Sequence, residues 1–158
     1  MAAAFTELAR SYSAITIIND RADVARLAGA SGVHLGQDDL SAPGARRLLT
    51  EGAIIGRSTH SADQIDAARR EPIDYIAIGP VFATSTKATG YTAVGLAMVA
   101  RAARTGRPVV AIGGITLANA RSVIAAGASS VALIGDLLST GDPAARTREL
   151  MAAVQDAA

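Results

Sequence analysis

The 158-residue sequence contains no cysteine and no tryptophan, and its aromatic content is only 3%. Without cysteine there are no disulfide bonds, thiolate metal ligands or cysteine nucleophile, a pattern typical of cytoplasmic proteins. So few aromatic side chains argue against a stacking surface for single-stranded nucleic acid. No apolar run reaches the roughly 18 residues that a membrane-spanning helix needs. We therefore expect a cytoplasmic protein with neither a membrane nor a nucleic-acid partner.

The sequence also lacks an excess of positive or negative charge. The chain has 15 Lys and Arg residues against 14 Asp and Glu residues, which gives a net charge of +1. This balance argues against a large surface for nucleic acid or acidic lipid. The length is that of one ordinary domain, so we expect a single globular domain over residues 1–158.

One rhythm runs along the chain. Short apolar or β-branched segments alternate with stretches of helical period, as in repeated βα units around a parallel sheet. Start signals for three of the helices are found at Ser61, Thr116 and Asp142-Pro143. Six strands are predicted, in the segments AITII, GVHL, AIIG, IDYIAIG, PVVAIGG and SVALIG.

Both a doubly wound sheet and a (β/α)8 barrel share this rhythm. Nearly every predicted strand ends on polar residues, and a barrel brings all its strand ends to one face, whereas an open sheet has its site at one switch point. The dinucleotide and P-loop glycine motifs are absent from the sequence. We therefore expect a TIM (β/α)8-type barrel, here incomplete, with about six βα units.

Carboxylates follow two successive strands. Asp20 comes after the first strand, and Asp38 and Asp39 come after the second. Two carboxylates from adjacent strand ends, with no cysteine or paired histidine nearby, suit Mg²⁺ shared with a phosphate substrate better than zinc. The alternative is that Asp20 caps the following helix, a common task for aspartate at this position.

Polar groups that suit an anion follow three later strands. GPVFATSTK, residues 79–87, combines three hydroxyls with Lys87, although a solvated surface loop has the same composition. Gly113-Gly114 precedes a helix, where glycines either admit an anion to backbone N–H groups or permit tight packing. In barrels the loops after the last two strands often form a phosphate site, so IGD, residues 134–136, strengthens the first alternative.

The remaining candidate residues have simpler interpretations. His34 and His60 are expected to be hydrogen-bonded structural histidines, since no metal-binding spacing surrounds them. Ser58 lacks the surrounding glycines of a nucleophile elbow, so we interpret it as a hydrogen-bond donor.

Six motifs, in this order and spacing, resemble the thiamine-phosphate synthase family over about residues 13–138. They are IINDR, GVHLGQDDL, IGRSTH, DYIAIGPVFATSTK, VVAIGGIT and AAGASSVALI. The resemblance implies a barrel transferase of thiamine biosynthesis that couples hydroxymethylpyrimidine diphosphate to thiazole phosphate and releases diphosphate. It also implies an order of events in which the pyrimidine C–O bond breaks first and the thiazole nitrogen then captures the resulting cation.

The resemblance further implies roles for individual residues. Asp20 and Asp39 are expected to hold Mg²⁺, while Asn19, Ser58 and Lys87 contact the diphosphate, with Ser58 and Lys87 acting in catalysis. The thiazole phosphate is expected to bind Thr84, Thr86, Gly114, Ile134 and Gly135. One departure is Gly135, where the family usually has serine, so the phosphate site loses a hydroxyl and keeps a backbone N–H donor.

A second departure is that the chain starts within the family's second helix. The resemblance therefore implies that the first two strands, with a Gln-x-Arg-x-Lys segment, are missing. Open sheet edges expose unpaired backbone groups and apolar faces, so we expect a weakly stable or self-associating chain with poor activity. Two further functions stay open: a thiazole tautomerase-like isomerase and a non-catalytic thiazole-phosphate-binding protein.

Overall fold

The computed structural model describes residues 1–84 and 90–155, in which helices alternate with short parallel strands. The strands are β1 (Ile17–Asn19), β2 (Gly32–Leu35), β3 (Ile54–Thr59), β4 (Tyr75–Ile78), β5 (Val109–Ile112) and β6 (Ser130–Ala132). The helices are α1 (Ala2–Ser11), α2 (Ala22–Ala28), α3 (Ala42–Leu48), α4 (Ala62–Ala68), α5 (Gly95–Ala103), α6 (Leu117–Ala125), α7 (Gly135–Leu138) and α8 (Pro143–Gln155).

The strand order of the sheet is β1-β2-β3-β4-β5-β6, which is also the order along the chain. All six predicted strands are present, so the βα repetition inferred from the sequence is confirmed. The first strand begins later than AITII suggests. Ser13 has a left-handed backbone (φ 55°) and the amide of Ala14 donates to the carbonyl of Ala9, so both residues belong to the turn after α1.

The chain divides into two compact units. The first contains Met1–Ser58 and Arg70–Tyr75, and the second contains Thr59–Arg69 and the described chain from Ile76 onward. In the first unit, β1 pairs with β2 and β2 with β3, with Asn19 opposite His34 and His34 opposite Gly56. Since parallel strands point the same way, the carboxyl ends of β1 and β2 lie side by side.

The strands of the first unit contribute apolar side chains to its core. Val33, Leu35 and Ile55 are fully buried, and full burial of such side chains contributes about 1.5–3 kcal/mol each. Arg46 of α3 contacts the segment that precedes β4. Its guanidinium donates to Asp74 at 2.7 Å and to the carbonyl of Pro72 at 2.9 Å.

In the second unit, β4 pairs with β5 and β5 with β6, all parallel. The predicted helix starts are confirmed. Ser61 caps α4 by accepting from the amide of Gln64 at 3.3 Å, Thr116 is the N-cap of α6, and Asp142 accepts from the amide of Ala145 at 2.9 Å. Over the residues that the structure describes, no helix combines the length and the apolarity needed to cross a membrane.

Candidate active site

Asp20 lies at the carboxyl end of β1, next to the end of β2. Its amide donates to the carbonyl of His34 at 2.8 Å, and its backbone is left-handed, with φ 64°. This conformation is uncommon outside glycine, although aspartate tolerates it better than most residues. The N-cap of α2 is Arg21, so Asp20 does not occupy the position that helix capping requires. Asn19, the last residue of β1, is exposed at the same end.

Arg21 and Asp23 form a neighbouring ion pair. The guanidinium of Arg21 donates to both carboxylate oxygens of Asp23, at 2.8 and 2.6 Å. The hydrogen bond from Arg21 is the largest cause that lowers the pKa of Asp23 to about 2. The charge of Arg21 is therefore balanced by Asp23.

Asp39 is held at the carboxyl end of β2 by the turn that follows this strand. Its Oδ2 accepts from the amide of Gly36 at 2.6 Å, and the residue is half-buried. Asp38, the other candidate, is exposed. The structure thus places Asp20 and Asp39 after neighbouring parallel strands, as the sequence predicts. Within residues 1–84 and 90–155, no cluster of three or more His, Cys, Asp or Glu side chains could hold a metal ion.

Ser58 near the end of β3 is fixed through two of its own atoms. Its hydroxyl lies 2.8 Å from Nε2 of His34, and its carbonyl accepts from Nε2 of Gln37 at 2.5 Å. His34 Nδ1 in turn lies 2.9 Å from the hydroxyl of Tyr75. The expectation that His34 is a hydrogen-bonded histidine is therefore confirmed, and its partner is a predicted site residue.

The second unit contains the predicted phosphate-binding residues. Thr84 is exposed after β4, whereas Thr86 and Lys87 lie outside the described residues. Nδ1 of His60 lies 2.5 Å from the carbonyl oxygen of Gly79 and donates to it, because a carbonyl oxygen can only accept. The imidazole also stacks on Tyr91, with ring centroids 3.8 Å apart. His60 is thus a hydrogen-bonded residue, as expected.

Gly113 and Gly114 have left-handed backbones, with φ 96° and 64°, and both pack closely on the segment after β4. A Cβ at Gly113 would lie 2.6 Å from Cα of Pro80, and one at Gly114 would lie 2.5 Å from the carbonyl oxygen of Ala83. The tight-packing interpretation is therefore confirmed. Anion binding at these amides stays a prediction of the sequence.

Asn119 organises the turn between Gly114 and α6. Its Oδ1 accepts from the amide of Thr116 at 2.8 Å, and its Nδ2 donates to the carbonyl of Gly114 at 3.0 Å. After β6, Ile134 is the N-cap of α7, which begins at Gly135, and both residues are exposed. Both turns belong to the second unit, and positions 114 and 135 are glycines.

Asp136 links the turn after β6 to the start of α6. Its Oδ2 lies 3.3 Å from the amide of Leu117 and 3.4 Å from Nε of Arg146, and both charged side chains are largely buried. A carboxylate at a helix start is favourable because the first amides there lack partners. The Asp136–Arg146 pair therefore stabilises the segment that carries Ile134 and Gly135.

Three of these residues were missed by the sequence interpretation: Gln37, Tyr75 and Asn119. Asn119 had a signal, because an amide three residues after a threonine N-cap fits a capping box. Gln37 and Tyr75 had none, since their contacts join segments 21 and 41 residues apart.

Comparison with known proteins identifies the family. The family model for thiamine monophosphate synthase, TMP-TENI, matches residues 1–137. The chain belongs to the thiamine monophosphate synthase family. Thiamine-phosphate synthase of Koribacter versatilis is 51% identical over 137 residues, which are 85% of this chain and 64% of that protein. Thiamine-phosphate synthase of Laribacter hongkongensis is 47% identical over 152 residues, 96% of this chain and 72% of that protein.

A solved structure of the same family confirms the fold. Thiamine phosphate pyrophosphorylase from Pyrococcus furiosus is 33% identical, with a TM-score of 0.89, and the match covers 99% of this chain and 75% of that one. The TIM-type βα fold and the family inferred from the six motifs are thus confirmed. The chain spans about two thirds of the length of these relatives, 64% to 75%.

Proposed function

We propose that this chain carries the coupling chemistry of its family: transfer of hydroxymethylpyrimidine from its diphosphate to thiazole phosphate, with release of diphosphate. The observation that carries the proposal is the position of Asp20 and Asp39 after adjacent parallel strands in a member of this family. The thiazole tautomerase-like alternative is less favoured, because an isomerase that expels no diphosphate has less need of these carboxylates.

The donor set at these strand ends fits Mg²⁺. Asp20 and Asp39 offer hard carboxylate oxygens, and the hydrogen bond from Gly36 orients Asp39 while leaving its Oδ1 for a cation. Zinc prefers nitrogen and sulfur ligands, and the chain has no cysteine. When bound, Mg²⁺ would neutralise charge on the diphosphate, and these two residues would hold it.

The chain's own donors serve the leaving group in this proposal. The pyrimidine methylene–oxygen bond breaks, diphosphate departs with the electron pair, and the thiazole nitrogen then donates its pair to the carbon. Negative charge grows on the leaving diphosphate, so fixed donors aimed at it lower the barrier. We assign the leaving-group contacts to Asn19, Ser58 and Lys87, of which Lys87 lies outside the described residues, and the half-buried Ser58 hydroxyl lies 2.8 Å from Nε2 of His34.

The thiazole phosphate is assigned to residues of the second unit. Thr84 and Thr86 supply hydroxyls, and Gly114, Ile134 and Gly135 supply backbone N–H groups. Asn119 and Asp136 support this assignment because they fix the turns that carry those amides. The proposed partners are therefore small phosphate-bearing molecules. A single domain and a cytoplasmic location stay predictions of the sequence.

The experiment measures diphosphate release from the two substrates with and without Mg²⁺. Replacing Asp20 or Asp39 by asparagine should reduce the rate by about 100-fold or more, because each variant loses a charged ligand near the leaving group. Asp38→Asn is the matched control, since Asp38 adjoins Asp39 and is exposed; its rate should stay within about twofold of wild type. Equal losses in the Asp38 and Asp39 variants would refute the metal assignment, and thiazole-phosphate binding without turnover would select the non-catalytic alternative.

A further inference from the structure

We propose that His34 is a positioning residue that fixes the Ser58 hydroxyl, and that Tyr75 fixes His34 in turn. In this arrangement Nε2 of His34 donates to Oγ of Ser58, so the Ser58 proton is directed away from His34 and toward the substrate. The inference rests on the proposed function only for the identity of that substrate. The side-chain relay itself is a property of the first unit.

The relay consists of two consecutive short contacts. Oη of Tyr75 lies 2.9 Å from Nδ1 of His34, and Nε2 of His34 lies 2.8 Å from Oγ of Ser58. Both distances are those of ordinary hydrogen bonds. The two rings are nearly parallel, with 23° between their planes and 5.6 Å between their centroids. Both ring nitrogens of His34 are therefore engaged, which fixes the imidazole against rotation.

In this proposal His34 is neutral and the phenol of Tyr75 donates to its Nδ1. A neutral imidazole has one N–H donor and one acceptor nitrogen. Burial raises the pKa of Tyr75 to about 12, so its phenol keeps its proton at neutral pH. When the phenol donates to Nδ1, the imidazole proton is on Nε2 and Ser58 accepts it. Ser58 then keeps its own O–H for an external acceptor, as a donor to a departing diphosphate must.

The strand register makes the relay possible. His34 of β2 is opposite Gly56 of β3, and Ser58 is two residues farther along β3 on the same face. A Cβ at Gly56 would lie 2.0 Å from Cζ of Tyr75, so only glycine lets the phenol pass over β3 to reach His34. Nε2 of Gln37 donates to the backbone carbonyl of Ser58 at 2.5 Å. The Ser58 hydroxyl thus depends on His34, Tyr75 and Gln37 for its position.

The first test is independent of turnover. Imidazole ¹⁵N shifts of the full-length chain, assigned with a His60→Gln variant, should show the Nε2–H tautomer of His34. Tyr75→Phe keeps the ring and removes the hydroxyl, so it should convert His34 to a mixture of tautomers. A predominant Nδ1–H tautomer in the wild type, or no change in Tyr75→Phe, would overturn the proposal.

The second test asks whether His34 acts through Ser58. Asparagine can replace the Nδ1 contact of histidine and glutamine the Nε2 contact, so His34→Asn loses the bond to Ser58 while His34→Gln retains it. We expect His34→Asn and Tyr75→Phe to lower kcat by about 2- to 12-fold, the equivalent of one hydrogen bond, with KM for thiazole phosphate unchanged. His34→Gln should recover most of the His34→Asn loss.

A double-mutant cycle separates positioning from a general structural role. In a Ser58→Ala background, His34→Asn and Tyr75→Phe should cause no further loss of kcat, because their effect passes through the missing hydroxyl. Additive losses would show that these residues act elsewhere and would overturn the proposal. Circular dichroism and urea unfolding of each variant show whether it is folded. If the wild type released no diphosphate, the proposed function would fail, while the tautomer measurement would still decide whether the relay exists.

Discussion

Gly56→Ala tests the packing on which the hydrogen bonds from Tyr75 to His34 and from His34 to Ser58 depend. The new methyl group would lie 2.0 Å from Cζ and 2.3 Å from Oη of Tyr75, far inside van der Waals contact. Gly56 has no left-handed backbone, so the clash with Tyr75 is the main effect of the substitution. If the phenol moves away, the hydrogen bond at Nδ1 of His34 is lost, and if it stays, β3 must shift. Either outcome should lower the free energy of unfolding by about 1–3 kcal/mol.

Urea denaturation of Gly56→Ala in two backgrounds provides the assay. With Tyr75 present, the unfolding midpoint should fall. In a Tyr75→Ala background the clash is absent, and alanine in a strand is favoured over glycine by about 0.5–1 kcal/mol, so the same substitution should be neutral or stabilising. This reversal is a coupling between two contacting residues. The same loss of stability in both backgrounds would refute the reasoning.

Three further predictions concern the ionisation of Tyr75, the turn held by Asn119 and the association of the chain. The pKa of Tyr75 is about 12 in the folded state and about 10 in the unfolded state, so the free energy of unfolding should fall as pH rises from about 10 to 12. Tyr75→Phe should lack both this fall and the late phase of tyrosinate absorbance. Asn119→Ala should lower the free energy of unfolding by about 1–2 kcal/mol and weaken thiazole-phosphate binding, whereas Asn119→Asp keeps the hydrogen bond from Thr116 and should lose less. Urea unfolding and calorimetry measure the two effects, and equal losses in both variants would contradict the role given to the two hydrogen bonds. Sedimentation should show concentration-dependent association through β1 and β6, the outermost strands of the sheet over the described residues, and a monomer at all concentrations would contradict it.

Most of the fold could be predicted from local patterns. The six strands alternate with helices because apolar runs, glycine turns and capping residues recur at regular spacing, and capping by Ser61 or Asp142 depends on neighbours within three residues. The start of β1 could not be predicted, because Ser13 adopts a left-handed turn although its sequence neighbours favour a strand.

The candidate site was predictable only where it depends on strand ends. Asp20 and Asp39 could be assigned to the ends of adjacent strands because β1 and β2 are parallel neighbours. The relay from Tyr75 to Ser58 could not, since it depends on which residue of β3 is opposite His34, and a register shift of one position would reverse the faces. Glycine at position 56 had no visible role until that register was known.

Product analysis tests the central claim most directly. The chain is incubated with hydroxymethylpyrimidine diphosphate, thiazole phosphate and Mg²⁺, and thiamine phosphate and diphosphate are quantified together. The account predicts equal amounts of both products, and loss of both when Mg²⁺ is chelated. Rearranged thiazole without diphosphate, or thiazole phosphate that binds and stays unchanged, would contradict it.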